Sequence, residues 1–277
     1  MKNSRLVILP LTALLIICAA GTTCARQGVP GARKFDEFGD VPLSDIAARL
    51  DAFSSELQSQ PGMKAFVIAY RSRRDLPGLS GRLMVWTRDY LIHTRGFGPE
   101  RIMGVDGGVA GCVVQELWLV PVGATPKPRS DAYQNEFVDL DSARKYDEAP
   151  FYGGKFFPES YFTTVHASLE GYADALRKEP RSSACIIAYA QYWVDRSEDR
   201  RGRKRTREQV QLDPPGTARR ELARVKVTLA KTYRIPASRI RLVDGGYRKW
   251  SEMELWIVPR GEHAPIPTPN AFPKGRR

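Results

Sequence analysis

Cysteine and histidine are scarce in this chain, with four Cys and three His in 277 residues. So few cysteines do not make a disulfide scaffold. His93, His166 and His263 are scattered, and neither H-x-x-x-H nor C-x-x-C occurs, so a zinc site has no support. Walker A and G-x-G-x-x-G loops are missing, and Gly78-Leu79-Ser80-Gly81 is one residue short of a nucleophile elbow. These absences imply no cofactor, no metal and no catalytic residue. Long apolar runs are also lacking: the longest, Leu6 to Ala20, is interrupted by Pro10 and Thr12 and falls short of the roughly 20 residues a membrane span needs.

With 42% hydrophobic, 27% charged and 10% aromatic residues, the composition excludes wholesale disorder and a fibrous repeat. The length suggests two domains, at roughly 100–150 residues each. Lys2 and Arg5 precede the apolar run and small residues follow it, which is the layout of a secretory signal peptide over residues 1–25. Cleavage is expected after Ala25, with Gly21 as a second candidate. Cys18 follows Ile17, and Cys24 follows Gly21-Thr22-Thr23; neither context favours lipid attachment. Removing Lys2 and Arg5 lowers the formal charge of +12 to about +10. Cys112 and Cys185 then remain. An oxidising compartment permits a disulfide between them, but one lies in each half of the chain, which favours two separate thiols.

Internal similarity is the strongest signal. Lys34-Phe35-Asp36-Glu37 matches Lys145-Tyr146-Asp147-Glu148. Ile46, Leu50, Phe53 and Leu57 match Val165, Leu169, Tyr172 and Leu176 at an offset of 119, each set forming an apolar helical stripe. Both helices stop at a proline, Pro61 and Pro180, and a strand follows: Ala65 to Tyr70, and Ala184 to Tyr189. Cys185 takes the place of Phe66 and should pack as a small hydrophobe. Later motifs match at an offset of 138: Met84, Thr87 and Leu91 with Leu222, Val225 and Leu229; Arg101-Ile102 with Arg239-Ile240; Val105-Asp106-Gly107-Gly108 with Val243-Asp244-Gly245-Gly246; and Glu116-Leu117-Trp118 with Glu254-Leu255-Trp256. The second copy therefore carries 19 extra residues in its middle and a smaller insertion, Ala149 to Phe156, near its start.

Each unit reads strand, helix, strand, helix, strand, strand. That order predicts an α/β (α+β) fold of two tandem units, each a small mixed sheet with two helices packed on it. The Gly-Gly pairs predict tight turns into closing hairpins, with Gly supplying positive φ and Asp bonding nearby backbone. Trp118 and Trp256 should cover the edge of a core rather than stack on a sugar. The predicted units are 34–121 and 144–259, joined by a linker over 122–143. The second holds an insertion over about 192–213, and a Pro-rich disordered tail covers 260–277.

This element order, the opening Phe35-Asp36-Glu37-Phe38-Gly39, Leu79-Ser80, and the stretch from Tyr90-Leu91 to Arg101-Ile102 resemble the OmpA-like C-terminal domain, the peptidoglycan-associating module of bacterial envelopes. The pattern RI, VDGG, ELWIVP is also similar to uncharacterised exported bacterial proteins carrying this unit. The resemblance implies a ligand site in which an Asp after the second strand accepts from an ammonium and an Arg on the second helix holds a carboxylate. Neither position is kept. Arg73 stands at the Asp position, with Asp75 the nearby carboxylate, and Leu83 at the Arg position. Arg82 is adjacent, but one helix step turns a side chain by about 100°. In the second unit those positions fall at Tyr192 and Glu221, with Arg220 adjacent.

Six basic residues, Arg200, Arg201, Arg203, Lys204, Arg205 and Arg207, crowd the middle insertion between flanking acids. A nucleic-acid partner is disfavoured by export and by the lack of interleaved aromatics. The bland reading is a solvated mobile loop. The functional one is attraction to anionic lipid headgroups or polysaccharide, at about 1 kcal/mol per cation at best. The sequence thus points to an exported, non-enzymatic cell-envelope protein of structural or binding type, periplasmic or extracellular, with peptidoglycan or another anionic envelope component as partner. The alternative is a polyanion-binding protein acting through the insert; an enzyme is the third reading.

Overall fold

The computed structural model describes residues 31–127, 129–133, 141–151, 165–195 and 209–270, all within one compact unit that begins at Gly31. The first half runs β1 (Arg33–Phe38), α1 (Leu43–Ser59), β2 (Met63–Ser72), α2 (Leu79–Asp89), β3 (Ile102–Ala110) and β4 (Val114–Pro121). The second runs β5 (Arg144–Pro150), α3 (Val165–Lys178), β6 (Ser183–Asp195), β7 (Gln209–Leu212), α4 (Thr217–Val227), β8 (Ile240–Arg248) and β9 (Glu252–Val258). The class is mixed α and β, with a four-stranded and a five-stranded sheet.

The apolar stripes decide which face each helix buries. Ile46, Leu50, Phe53 and Leu57 of α1 pack with Ala65 and Val67 of β2 and with Leu117 and Leu119 of β4. Leu169, Tyr172 and Leu176 of α3 pack with Ala184 and Ile186 of β6 and with Leu255 and Ile257 of β9. Side chains alternate along a strand, so Ile68 and Tyr70 emerge on the opposite sheet face, as do Cys185, Ile187 and Tyr189. Cys185 is buried there as a small apolar group; Cys112 is exposed, and both thiols are free.

The repeated Arg-Ile steps have a mechanical role. The Arg101 guanidinium donates to the carbonyls of Leu57, Gln60 and Met63, and Arg239 donates to those of Leu176, Glu179 and Ser182. Each arginine thereby bonds carbonyls at the end of the first helix and at or just before the start of the strand after it, and ties them to the start of β3 or β8. Both second helices close in a π-helical turn, Tyr90–Thr94 and Thr228–Thr232.

In the first sheet the order is β1-β4-β2-β3, with β3 parallel to β2 and β4 antiparallel to both β1 and β2. The second repeats it as β5-β9-β6-β8, with β7 added on β6. The hairpin expectation is therefore corrected: β3 and β4 are not neighbours, because β4 enters between β1 and β2. The Gly-Gly pairs lie inside β3 and β8, where the register with the central strand shifts. The local chemistry is as expected: Gly108 and Gly246 have φ of +81° and +84°, and their N–H groups donate to Asp106 and Asp244 Oδ1. The outcome is a bulge rather than a turn.

The segments after β4 and β9 fold back over the outer sheet faces. Val109 and Tyr133 form an antiparallel bridge, and Ala132 packs beside Ile68 and Tyr70. Residues 260–270 form no regular element, as expected of a Pro-rich stretch, but they are held. Ala264 packs on Cys185 and Val258, Thr268 N–H donates to the Tyr189 hydroxyl, and Asn270 N–H donates to the Tyr247 carbonyl. Neither segment hangs free where it is described. The middle insertion leaves the sheet as a ribbon: Tyr192–Asp195 of β6 pairs with β7, beyond the residues of β6 that pair with β8 and β9. The Arg-rich residues between β6 and β7 in sequence, and most of the insertion near the start of this half, lie outside the described residues. Among the described residues, no helix is long and apolar enough to cross a membrane.

A Cβ on Gly107 or Gly245 would overlap the ring of Tyr70 or Tyr189. Gly245→Ala is therefore expected to destabilise the fold by about 1–3 kcal/mol, read as a lower urea midpoint with an unchanged m-value.

Candidate functional site

Two repeated motifs that are far apart in sequence meet on each outer sheet face. In the first half, Lys34 pairs across β1 and β4 with Trp118, and Glu37 with Glu116. Two like charges directly opposite one another repel, and Glu116 is fully buried. The Lys34 ammonium offsets both problems, donating to Glu116 Oε1 at 2.7 Å and to Glu37 at 2.5 Å while lying 5.4 Å from the Trp118 ring centre. Arg129 donates to Glu116 and Glu37 and lies over the Tyr70 ring. Trp118 Nε1–H donates to Glu116 Oε2 at 2.8 Å.

The second half builds the same arrangement. Lys145 donates to Glu148 and to Glu254 Oε1, over Trp256. Trp256 Nε1–H and the Tyr189 hydroxyl donate to Glu254 Oε2. The guanidinium over Tyr189, 3.5 Å from its centre, belongs to Arg248 of β8, whereas Arg129 follows β4. Burial pushes the Glu254 carboxyl up, but hydrogen bonds from Trp256, Lys145 and Arg248 outweigh it and hold the group below its ordinary range. Both oxygens of each buried glutamate are occupied by donors, so the clusters clamp the first strand to the last.

A third carboxylate joins the halves. Asp147 of β5 is fully buried, and Arg82 of α2 reaches it from the other half, Nε to Oδ2 at 2.9 Å. Ser168 of α3 donates to the same oxygen, and Gly78 N–H donates to the Tyr146 carbonyl. Nearby, Arg88 of α2 makes a two-pronged pair with Glu170 of α3 at 2.8 and 3.0 Å. A Cβ on Gly78 would press into Tyr146 and Asp147, so only glycine admits this approach. The matching first-half carboxylate, Asp36, is held by Arg49 of its own helix α1. At an offset of 119 the residue matching Arg49 is Ser168, a short side chain that leaves room for Arg82. Burial keeps the Asp147 carboxyl above its ordinary range in spite of Arg82 and Ser168.

The residues at the ligand positions implied by the resemblance are engaged elsewhere. Arg73 donates to the Tyr133 hydroxyl, and Asp75 accepts from Ser72 N–H in a turn. Leu83 is half-buried, while Arg82 serves Asp147. In the second half Tyr192 lies in the β6–β7 ribbon, Arg220 donates to Thr217 and Pro215, and Glu221 is buried and paired with Arg224. Trp118 and Trp256 cover the outer clusters, as expected. The sequence reading overlooked Glu116 and Glu254; the available signal was a charge repeated inside an otherwise apolar strand, two residues before Trp. Arg200, Arg201, Arg203, Lys204, Arg205 and Arg207 lie outside the described residues. Among those described, no group of His, Cys, Asp and Glu is placed to hold a metal.

No protein-family model matches the chain, and no curated protein matches it.

Replacing Arg82 with Met would leave Asp147 buried without its cation. Urea unfolding at neutral pH is expected to show a loss of about 3–5 kcal/mol, shrinking as the pH falls and Asp147 takes up a proton. For Glu254→Gln the loss also shrinks as pH falls, but for a different reason, because the Glu254 carboxyl is held below its ordinary range. The native carboxylate stabilises the fold above its ordinary pKa, and that contribution disappears as pH falls through the lower folded value. The variant should be less stable at pH 7 by about 1–3 kcal/mol, and the gap should shrink once pH falls below the ordinary glutamate range.

Proposed function

We propose that this chain is an exported, non-enzymatic protein of the cell envelope, of structural or binding type. In this reading its halves are diverged copies of one OmpA-like unit whose usual ligand pair is gone. The observation that carries it is the fate of the charges beside the implied ligand positions. Arg82 and Arg73 are consumed within the chain, Arg82 by a carboxylate of the other half, so the charges beside the first half's implied ligand positions serve internal contacts instead. Apart from the added β7, the two halves share the β-α-β-α-β-β order on which the resemblance rests.

The β6–β7 ribbon favours a second reading. It extends past the sheet body and brackets residues 196–208, which include the six clustered cations. Six cations clustered in that stretch of sequence are suited to anionic lipid or polysaccharide, with attraction that salt weakens.

The test is fractionation of cells expressing the full chain, followed by co-sedimentation of the recovered protein with purified sacculi. The expected result is a chain cleaved after Ala25 or Gly21 that pellets with sacculi at low salt. Full-length protein retained in the cytoplasm, or no pelleting at low salt, contradicts the proposal. For the second reading, replacing residues 200–207 with Gly/Ser should abolish retention on heparin and anionic liposomes; unchanged retention excludes the insert as the determinant.

A further inference from the structure

The outer face of the second sheet carries a cleft of about 490 Å³ at the β8–β9 turn, lined by Arg248, Lys249, Trp250, Glu252, Thr268 and Asn270, with Pro269 between the last two. In the first half Ala110-Gly111-Cys112 stand at the matching positions of Arg248-Lys249-Trp250, so that half lacks these side chains there. We infer that this cleft binds an acidic sugar, a pyranose bearing a carboxylate, with Trp250 as its stacking platform and Lys249 as its anion contact.

The first support is an unexplained aromatic. Trp250 is 66% exposed, unlike Trp118 and Trp256, whose indole N–H groups are committed to buried glutamates. Leaving so large an apolar ring in water is unfavourable unless something covers it. The flat C–H face of a pyranose is a suitable cover, and the indole edge keeps a donor for a hydroxyl. The second support is a spare cation. The Lys249 ammonium lies 5.6 Å from the Trp250 ring centre and, among the described residues, has no ion-pair partner. Arg248 in the same wall is occupied by Glu252 and Glu254, so Lys249 is the charge available to an incoming carboxylate.

The third support is preorganisation. The cleft is made by two segments that hold each other. Lys249 N–H donates to Asn270 Oδ1, and Arg248 donates to the Thr268 carbonyl and hydroxyl. Ser251, just past the tryptophan, is buried and donates to the Phe151 carbonyl. Fixed walls spare a ligand the cost of ordering them, and the volume falls in the range of small-ligand sites, about 300–1,000 Å³. Polar walls around one exposed ring suit a hydroxylated ligand better than an apolar one.

The inference deepens the envelope-binding reading and rests on it only for the choice of envelope glycans as the source. Two sources share the chemistry, polyuronate chains and muramic-acid fragments, and the experiment separates them. Titration of the exported chain, followed by tryptophan fluorescence and calorimetry, would use oligouronate, a muramic-acid disaccharide and a neutral oligoglucoside. At least one acidic sugar should bind more tightly than the neutral one. Trp250→Ala should weaken that binding by about tenfold or more, and Lys249→Met should bring the acidic sugar down to the neutral level. Both side chains are on the surface, and unchanged urea midpoints would show that the fold is intact. Equal binding of neutral and acidic sugars, full binding by Trp250→Ala, or no binding of either acidic sugar would each overturn the inference. Sugar binding without sacculus pelleting would leave the cleft standing and remove the envelope proposal.

Discussion

A carboxylate sealed from water must be met by donors or it unfolds what surrounds it. Asp147 is the point where that constraint shapes the whole molecule. Its own helix offers only Ser168, so the missing positive charge comes from Arg82 in the other half. The halves are thereby bound into one body through a group that neither could bury alone. The Arg88–Glu170 pair and the close approach at Gly78 line the same junction. In the first half the matching Asp36 is only half-buried and is paired locally with Arg49 of α1. At matched positions α1 carries arginine and α3 serine, and the two aspartates take their cations accordingly, Asp36 from its own half and Asp147 from the other.

The outer sheet faces obey the same constraint in a different setting. Glu116 and Glu254 sit in largely apolar strands, each compensated by an amine, a guanidinium and an indole N–H. The segments after β4 and β9 cover these clusters. Both faces of the central strands β2 and β6 are therefore buried, which is why those strands read as continuous apolar runs rather than alternating ones.

Much of this was legible from local pattern. The helical stripes at steps of four, three and four residues marked the helix faces, and the proline stops marked their ends. The paired motifs marked the strands, and the Asp-Gly-Gly chemistry was read correctly as positive φ plus an Asp-to-backbone bond. What that stretch does in the sheet was not legible, because strand order is a long-range choice: nothing in Gly107-Gly108 says that β4 will enter between β1 and β2. Arg82 was read as misdirected because the reference was a ligand site within one half; its real partner, Asp147, is supplied by the other. The ribbon strand β7 escaped notice because Gln209–Leu212 is short and follows a charged run. The cleft at Trp250 depends on tail residues folding back, which periodicity does not encode.

The central claim is that the buried Arg82–Asp147 pair makes the two halves a single rigid body. Backbone ¹⁵N relaxation of the full chain tests it most directly, because rotational diffusion reports the size of the body each amide belongs to. The account predicts one common rotational correlation time for amides of β1–β4 and of β5–β9, as expected for the whole folded chain. Two distinct and shorter correlation times, one for each half, would contradict it.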